Sequence, residues 1–582
     1  MISIPQHLWR RLLSVAVLVL LAGCTSAPTD KVEAATERSV EAPTDTPDAP
    51  TDTPIEPAVV APIPTVPEAP AKSTSAPSFD ATIDIDTSRL IRSIPRTLYG
   101  TNIEWKWNAY MLWQEEQQRL DPELVHLAKQ LGASPIRYPG GILSDMYHWK
   151  DGVGPKDQRP VVLHRDDSNN KSRPNFGTDE ALEFARQTGG ELLITVNAAT
   201  GTPSEAADWV GYVKGKLPRV RFWEVGNEFY IKQKKSTIDA KSYAERFLEF
   251  AAAMRAADRR IELGAIGGVN TGRYAVMGYP DWNRTVLEAA GEQIDFLAVH
   301  NGYAPVVSKE REMEKVYRAM LAAPVLIARN LQKVSEDIER YAPEHASEIS
   351  IAVTEWGPAF RFGFDSPLAD HAKTLGSALY TASALQAFIR SPRTEIANFW
   401  MLHDISVLGS IGSTSGSPTP EWAPTARYYA LQLFSRYFGD QLVTSSSEGP
   451  TFDSRAVGII DAVRDVPYLD IVSSLSDDGQ RLYILVVNKH FDDPIAARIT
   501  LQQFLPAATA TAWTLGGRDI GSHTGTRPLE GLPIEKQVDA RGYSEGKAGA
   551  VTFTSSPVEG VGEQFTYSFP AHSVTSLVLT RR

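Results

Sequence analysis

Phe222-Trp223-Glu224-Val225-Gly226-Asn227-Glu228 reads as a short β-run closed by a turn, with a carboxylate just past its end. A second stretch, Ile351-Ala352-Val353-Thr354-Glu355-Trp356-Gly357, has the same form. Taken singly, each glutamate could cap a strand or pair with an arginine. As a pair, with Asn227 beside the first, they are what glycoside hydrolysis needs: one carboxyl protonates the leaving oxygen while the other attacks or activates water.

Working outward from these two, residues 97 to 402 alternate short β-like runs with amphipathic helices. Strands are expected at 98–103, 136–139, 191–197, 220–226, 261–267, 294–300, 349–354 and 396–402, with helices such as 122–131, 178–187 and 242–257 between them. Thr202-Pro203-Ser204-Glu205 opens a further helix as a capping box with Pro at its first position. Eight strands with intervening helices fit an α/β fold of the closed (β/α)8 TIM barrel type. A doubly wound open sheet is the alternative, but no Gly-rich phosphate loop follows a strand. On this count Glu228 ends strand four and Glu355 ends strand seven, and barrel sites lie at the carboxyl ends of strands.

From about residue 440 the texture changes to short alternating segments separated by turn residues, at 468–474, 481–488, 550–554 and 574–579. This predicts a carboxyl-terminal β-sandwich, which the strand-like 81–85 ahead of the barrel could join. The 504 residues after position 78 exceed one core. The expected division is a barrel over 79–435 and a sandwich over 436–582.

The amino terminus points to a compartment. Arg10 and Arg11 precede an apolar run to Leu21, followed by Leu21-Ala22-Gly23-Cys24. This is a signal peptide over 1–23, too short in its apolar part to span a bilayer comfortably. Cys24 is the single cysteine of the chain, so disulfides, cysteine-ligated metals and thiol catalysis are not expected. Residues 24–78 read as a Pro/Thr-rich linker. Positions 25–78 hold 11 of the 39 prolines and no aromatic residue, with nine acidic and three basic side chains. Such a segment cannot bury a core. It carries half of the formal −12, and no basic patch suggests a nucleic-acid partner.

These features together resemble known families. Leu21-Ala22-Gly23-Cys24 resembles the lipobox of bacterial lipoproteins, in which Cys24 would be acylated. Thr25 after it favours an outer-membrane or cell-surface destination in a diderm cell. Arg137-Tyr138-Pro139-Gly140-Gly141, Trp149-Lys150-Asp151-Gly152-Val153-Gly154-Pro155 and Phe176-Gly177-Thr178-Asp179-Glu180 resemble segments of glycoside hydrolase clan A, most closely the family 51 α-L-arabinofuranosidases. So do Gly201-Thr202-Pro203-Ser204-Glu205, Gly226-Asn227-Glu228, Thr354-Glu355-Trp356 and, more loosely, Pro570-Ala571-His572-Ser573.

The resemblance implies a retaining, exo-acting enzyme with a carbohydrate substrate and no cofactor or metal. Glu228 would be the acid/base, Glu355 the nucleophile, and Asn227 a ligand of the sugar hydroxyl next to the anomeric carbon. Glu104 would hold the terminal furanose. His300 would orient Glu355, Tyr303 would donate to it, and Trp149, Trp356 and Trp400 would suit stacking on sugar faces. The chain departs from the family at Ile142, where Asn is common, at Phe229-Tyr230, in a polar insert at 163–173 and in a small-residue loop at 409–420. These departures leave open an endo-β-glycanase like those of families 39 or 5. A non-catalytic glycan-binding lipoprotein is a further alternative, although a dead barrel has little reason to keep both carboxylates.

Overall fold

The computed structural model describes residues 80–164, 170–231, 237–268, 281–307, 310, 312–360, 367–404, 407–413, 420–525 and 550–582. The signal peptide, Cys24 and the linker lie outside these residues, as do 165–169 of the polar insert and 414–419 of the small-residue loop.

Eight parallel strands close a barrel: Gly100–Asn102, Ile136–Tyr138, Leu192–Val196, Phe222–Val225, Glu262–Ile266, Phe296–Val299, Ser350–Ala359 and Thr394–Phe399. They are called barrel strands one to eight here. Strand eight pairs with strand one, and strand six pairs directly with strand seven, so no edge is left open. Each strand falls within or beside the run expected from sequence, because buried parallel strands read as short apolar segments between turn signals.

Helix ends follow the capping chemistry. Pro122–Leu131 starts on Asp121, whose carboxylate accepts from Leu124 N, and ends on Gly132 at φ 67°. Pro203–Lys216 starts on Thr202, whose hydroxyl accepts from Glu205 N. The longest helix, Met313–Tyr341, carries Pro324 inside it.

A second, nine-stranded sheet contains Ala81–Ser93, which pairs antiparallel with Gln441–Glu448 and parallel with Ile495–Gln502. Residues from distant parts of this sheet, such as Phe565 and Leu577, share one apolar core, so the sheet folds over on itself. Arg481–Asn488 explains why sequence periodicity is weak there. Its Leu482, Ile484 and Val486 face the sandwich core, while Tyr483, Leu485 and Val487 pack against the barrel's helices. Both faces are apolar because both are covered.

Arg390 of Leu375–Arg390, the helix before strand eight, ties the two sheets' cores together. It donates to Asp470 Oδ1 at 2.8 Å, and Lys489 donates to Asp470 Oδ2 at 3.0 Å. Burial would raise the Asp470 pKa, but Lys489 and Arg390 outweigh it and hold the carboxyl below its ordinary range.

Two fully buried histidines stay neutral. His403 donates from Nε2 to the Ala109 carbonyl at 2.9 Å, and His371 Nδ1 lies 2.7 Å from the Tyr317 hydroxyl. Burial pushes each pKa from 6.5 down to about 4. The unfolded chain therefore binds these protons first. Stability is complete above about pH 6.5 and falls as pH drops toward 4, by about 3 kcal/mol per histidine. Thermal midpoints should fall steeply between pH 6.5 and 4. His403→Asn, whose amide can still donate to Ala109, should flatten that slope; an unchanged slope would contradict the assignment.

Candidate active site

The barrel lumen is filled in layers. Leu193, Phe222, Phe296, Ala352 and Ile396 form one apolar layer, with Ala298 of the same cluster two residues beyond Phe296. Two residues further along the strands, the inward positions turn polar: Thr195, Glu224, Thr354 and Asn398 are joined by Asn102 and Arg137, all with 1% exposure or less. Buried polar groups are as a rule hydrogen-bonded, and in this layer all side-chain polar atoms but the Asn398 Oδ1 find a partner among the described residues.

Arg137 on strand two is its hub. Its Nε donates to Glu224 Oε2 at 2.6 Å, Nη1 to Glu355 Oε1 at 2.8 Å and to Asn102 Oδ1 at 3.2 Å, and Nη2 to Asn227 Oδ1 at 2.8 Å. Thr195 and Thr354 hydroxyls donate to Glu224 at 2.8 and 2.9 Å. Burial alone would lower the Arg137 pKa, but the charges of Glu224 and Glu355 outweigh it and raise it.

Glu355 reaches this hub through a bulge. The pairing of strands seven and eight slips between Val353 and Trp356. Such a slip re-aims side chains, and here Thr354 and Glu355 both meet the lumen groups. Trp356 then points outward between Phe388 and Phe399, at 0% exposure. That placement corrects the expectation of sugar stacking at Trp356. Glu355 Oε2 accepts from the Tyr303 hydroxyl at 2.8 Å. Tyr303 sits on a short added strand, Tyr303–Pro305, paired in register with Gly357–Ala359. Burial first, then the Glu355 charge, push its pKa well above the ordinary value, so it remains a donor.

Glu228 is placed by left-handed backbone. Gly226 has φ 79° and Glu228 itself φ 50°, an uncommon state for a non-glycine residue. This turn sends Asn227 to Arg137 and Glu228 to His300, whose Nδ1 lies 2.8 Å from Glu228 Oε1 and 3.6 Å from Glu355 Oε2. The expectation that His300 orients Glu355 is therefore corrected: its hydrogen bond goes to Glu228. Burial would lower the His300 pKa, but the Glu355 and Glu228 charges hold it above 6.5. One oxygen of each carboxylate and one His300 nitrogen all lie within 4.8 Å of one another. A cation could in principle use such a cluster. The donors already aimed at Glu355 from Arg137 and Tyr303 suit an organic reaction centre better.

Glu104, just past strand one, is buried. Its Oε2 accepts from the Tyr110 hydroxyl at 2.8 Å and lies 3.2 Å from Lys106 Nζ. The segment that follows Lys106 and supplies Tyr110 is left-handed: Trp107, Asn108, Ala109, Tyr110 and Met111 have φ between 48° and 70°. Each such residue costs about 1–2 kcal/mol. The His403 bond to Ala109 helps hold it. Nothing in the sequence announced this turn.

Trp149 is also corrected. It is 5% exposed, stacks on Trp209 and donates to the Glu205 carbonyl at 3.0 Å, so its ring faces are used in packing. Ile142 is half-buried against the main core. Arg137 and Glu224 were missed as site residues. Their signal was present: charged side chains inside otherwise apolar strands must face partners in the lumen.

Two carboxylates side by side at the carboxyl end of a barrel, one held by Arg137 and Tyr303 and the other by His300, define a glycoside hydrolase. Comparisons with known proteins agree. Residues 127–285 match the family model described as the alpha-L-arabinofuranosidase 1 domain. The chain is 25% identical over 484 residues to a probable alpha-L-arabinofuranosidase C of Aspergillus terreus, covering 78% of this chain and 87% of that protein. It is 25% identical over 465 residues to an intracellular exo-alpha-(1->5)-L-arabinofuranosidase of Halalkalibacterium halodurans, covering 73% and 88%. Among solved structures, an alpha-L-arabinofuranosidase from Thermotoga maritima in complex with arabinose superposes with TM-score 0.71 at 25% identity, covering 86% of this chain and all of that one. A bifunctional glucanase-xylanase at 14% identity and TM-score 0.58 shares the fold alone.

Gly141 closes the site from below. It has φ 56°, and a Cβ there would lie 2.7 Å from the Trp400 ring and 3.6 Å from Glu355 Oε1. Gly141→Ala should keep the fold but displace Trp400 and the nucleophile, lowering kcat/KM at least tenfold. Steady-state kinetics with circular dichroism checks this; wild-type kinetics would show that the close approach does not matter.

Proposed function

We propose that the protein is a retaining, exo-acting α-L-arabinofuranosidase. The observation that carries this reading is the pair Glu228 and Glu355, whose nearest functional atoms lie within 4.8 Å and whose partners differ. Retaining enzymes hold their carboxyls about 5–5.5 Å apart, and inverting ones about 6.5–9.5 Å. The relatives named as arabinofuranosidases supply the sugar.

The geometry gives each group a task. Glu355 attacks the anomeric carbon, with Arg137 and Tyr303 fixing one oxygen each. Glu228 gives its proton to the leaving oxygen and later takes one from water, with His300 holding its carboxyl. Asn227, whose oxygen accepts from Arg137, is the group we assign to a sugar hydroxyl. Glu104, whose Oε2 is held by Tyr110 and Lys106, is the group we assign to the furanose hydroxyls.

Glu355→Ala should abolish activity on every glycoside, since its attack begins each turnover. Glu228→Ala should lose most activity on a natural arabinan yet still form the glycosyl-enzyme from an activated aryl arabinofuranoside, and azide should then speed turnover. A panel of aryl glycosides against both variants checks this. Equal losses of Glu228→Ala on good and poor leaving groups, with no azide rescue, would reject the assignment.

The reading extends to location. The lipobox-like Leu21-Ala22-Gly23-Cys24 and the proline-rich linker support a lipid anchor at Cys24 that tethers the enzyme to the cell envelope, at the outer membrane or surface of a diderm cell. One acyl chain binds only marginally, so stable anchoring takes several. Cys24→Ala should move the protein from the membrane to the soluble fraction with its specific activity intact; a processed variant that still sediments with membranes would refute the anchor.

A further inference from the structure

We propose that Glu224 is a positioning residue that keeps Arg137 paired when the nucleophile loses its charge, and so sets the balance between the two halves of the reaction. This rests on the retaining assignment of Glu228 and Glu355.

In the first step, an oxygen of Glu355 forms a bond to the anomeric carbon as the bond from that carbon to the leaving oxygen breaks. The bonding pair goes to the leaving oxygen, which takes the Glu228 proton. Glu355 passes from carboxylate to neutral ester, and Glu228 from acid to carboxylate. The charge lost at Glu355 is thus lost beside Arg137, whereas the charge gained at Glu228 appears beside His300.

Arg137 has no exposed side-chain surface. With Glu355 as its sole anion, the intermediate would leave a buried guanidinium without a counter-charge, which is strongly unfavourable. Glu224 removes that problem. It lies 2.6 Å from Arg137 Nε, is 1% exposed, and takes no part in bond making. Thr195 and Thr354 donate to its two oxygens and fix it as an anion. The trio of Arg137, Glu224 and Glu355 then moves from a net charge of −1 to 0 on forming the ester, rather than from 0 to +1. Among the described residues, the ionisable groups that interact with this trio include Glu228, His300, Tyr303, Tyr230 and Tyr243. The tyrosines are held protonated by burial, so none of them supplies the missing charge at neutral pH.

The test is Glu224→Gln, assayed on 2,4-dinitrophenyl α-L-arabinofuranoside from pH 3.5 to 8, with wild type alongside. Removing the Glu224 charge leaves Arg137 acting on Glu355 alone, which favours the Glu355 carboxylate. The acid limb of kcat/KM should move to lower pH. Forming the ester should slow at least tenfold, while its breakdown should not slow. On this activated substrate kcat/KM should therefore fall much more than kcat, KM should rise, and the pre-steady-state burst should shrink.

A purely structural role would lower both parameters together and leave the acid limb in place, and that result would overturn the proposal. If the Gln variant does not fold, Glu224→Asp keeps the charge but withdraws it by one methylene. Its acid limb should lie between those limits, and a wild-type limb with a wild-type kcat to kcat/KM ratio would equally overturn the proposal. Wild type serves as the control for the underlying assignment. If it shows no burst and inverts the anomeric centre, the retaining reading has failed; if it bursts and only the Glu224 variants behave as wild type, the role of Glu224 has failed.

Discussion

The whole site hangs on one buried guanidinium. Arg137 rises from strand two and bonds to Asn102 at the end of strand one, to Glu224 and Asn227 on and after strand four, and to Glu355 on strand seven. A planar fork of donors has little freedom once several are committed, so it fixes those strand ends relative to one another. A buried ion network of this kind is a poor source of net stability, because desolvation cancels most of the attraction. Its return is geometric. Reacting groups must be held to a fraction of an ångström, and here they are held by a core layer rather than by surface loops.

That arrangement explains why the barrel can be polar in its upper lumen and still fold. The apolar layer of Leu193, Phe222, Phe296, Ala352 and Ile396 lies beneath, and strand alternation lifts Thr195, Glu224, Thr354 and Asn398 into the next layer. Asn398 and Asn102 spend their amides on backbone carbonyls at 2.8–3.3 Å. The two threonines serve Glu224. The charged members of this buried network are thus each met by a partner, and only the Asn398 Oδ1 of the layer has none among the described residues.

Much of this was readable in the sequence, for identifiable reasons. Eight apolar runs, punctuated by caps such as Asp121 and Thr202, place the strands and helices because local periodicity and end chemistry act over a few residues. What escaped was non-local or conformational. The slip between Val353 and Trp356 puts two consecutive residues toward the lumen, so period two fails where it matters most. Strict alternation would still have sent Trp356 outward once Glu355 was placed inward. Tyr303 reaches Glu355, 52 residues away in sequence, through the pairing of Tyr303 with Gly357, which no spacing from His300 encodes. Arg137 and Glu224 were legible in principle, as charges in apolar strands, but only the fold makes them each other's partners.

The same division separates chemistry from selectivity. The residues that perform bond making stand at strand ends and are tied into the lumen layer. Other features stand between the barrel strands: Ile142 after the Gly140-Gly141 turn, His164 at the start of the polar insert, and the left-handed turn from Trp107 to Met111. His164 packs edge-on against both Trp105 and Trp107. His164 therefore buttresses the strained turn, and that turn supplies Tyr110 to Glu104, with Lys106 just ahead of it. A strained segment persists when its surroundings over-determine it, and here one loop, one histidine and one buried carboxylate do so together. The consequence is that the sugar-facing corner can change by exchanging loops while Arg137 and its four bonded neighbours stay fixed, which is why a reading of motifs reaches the reaction before it reaches the substrate.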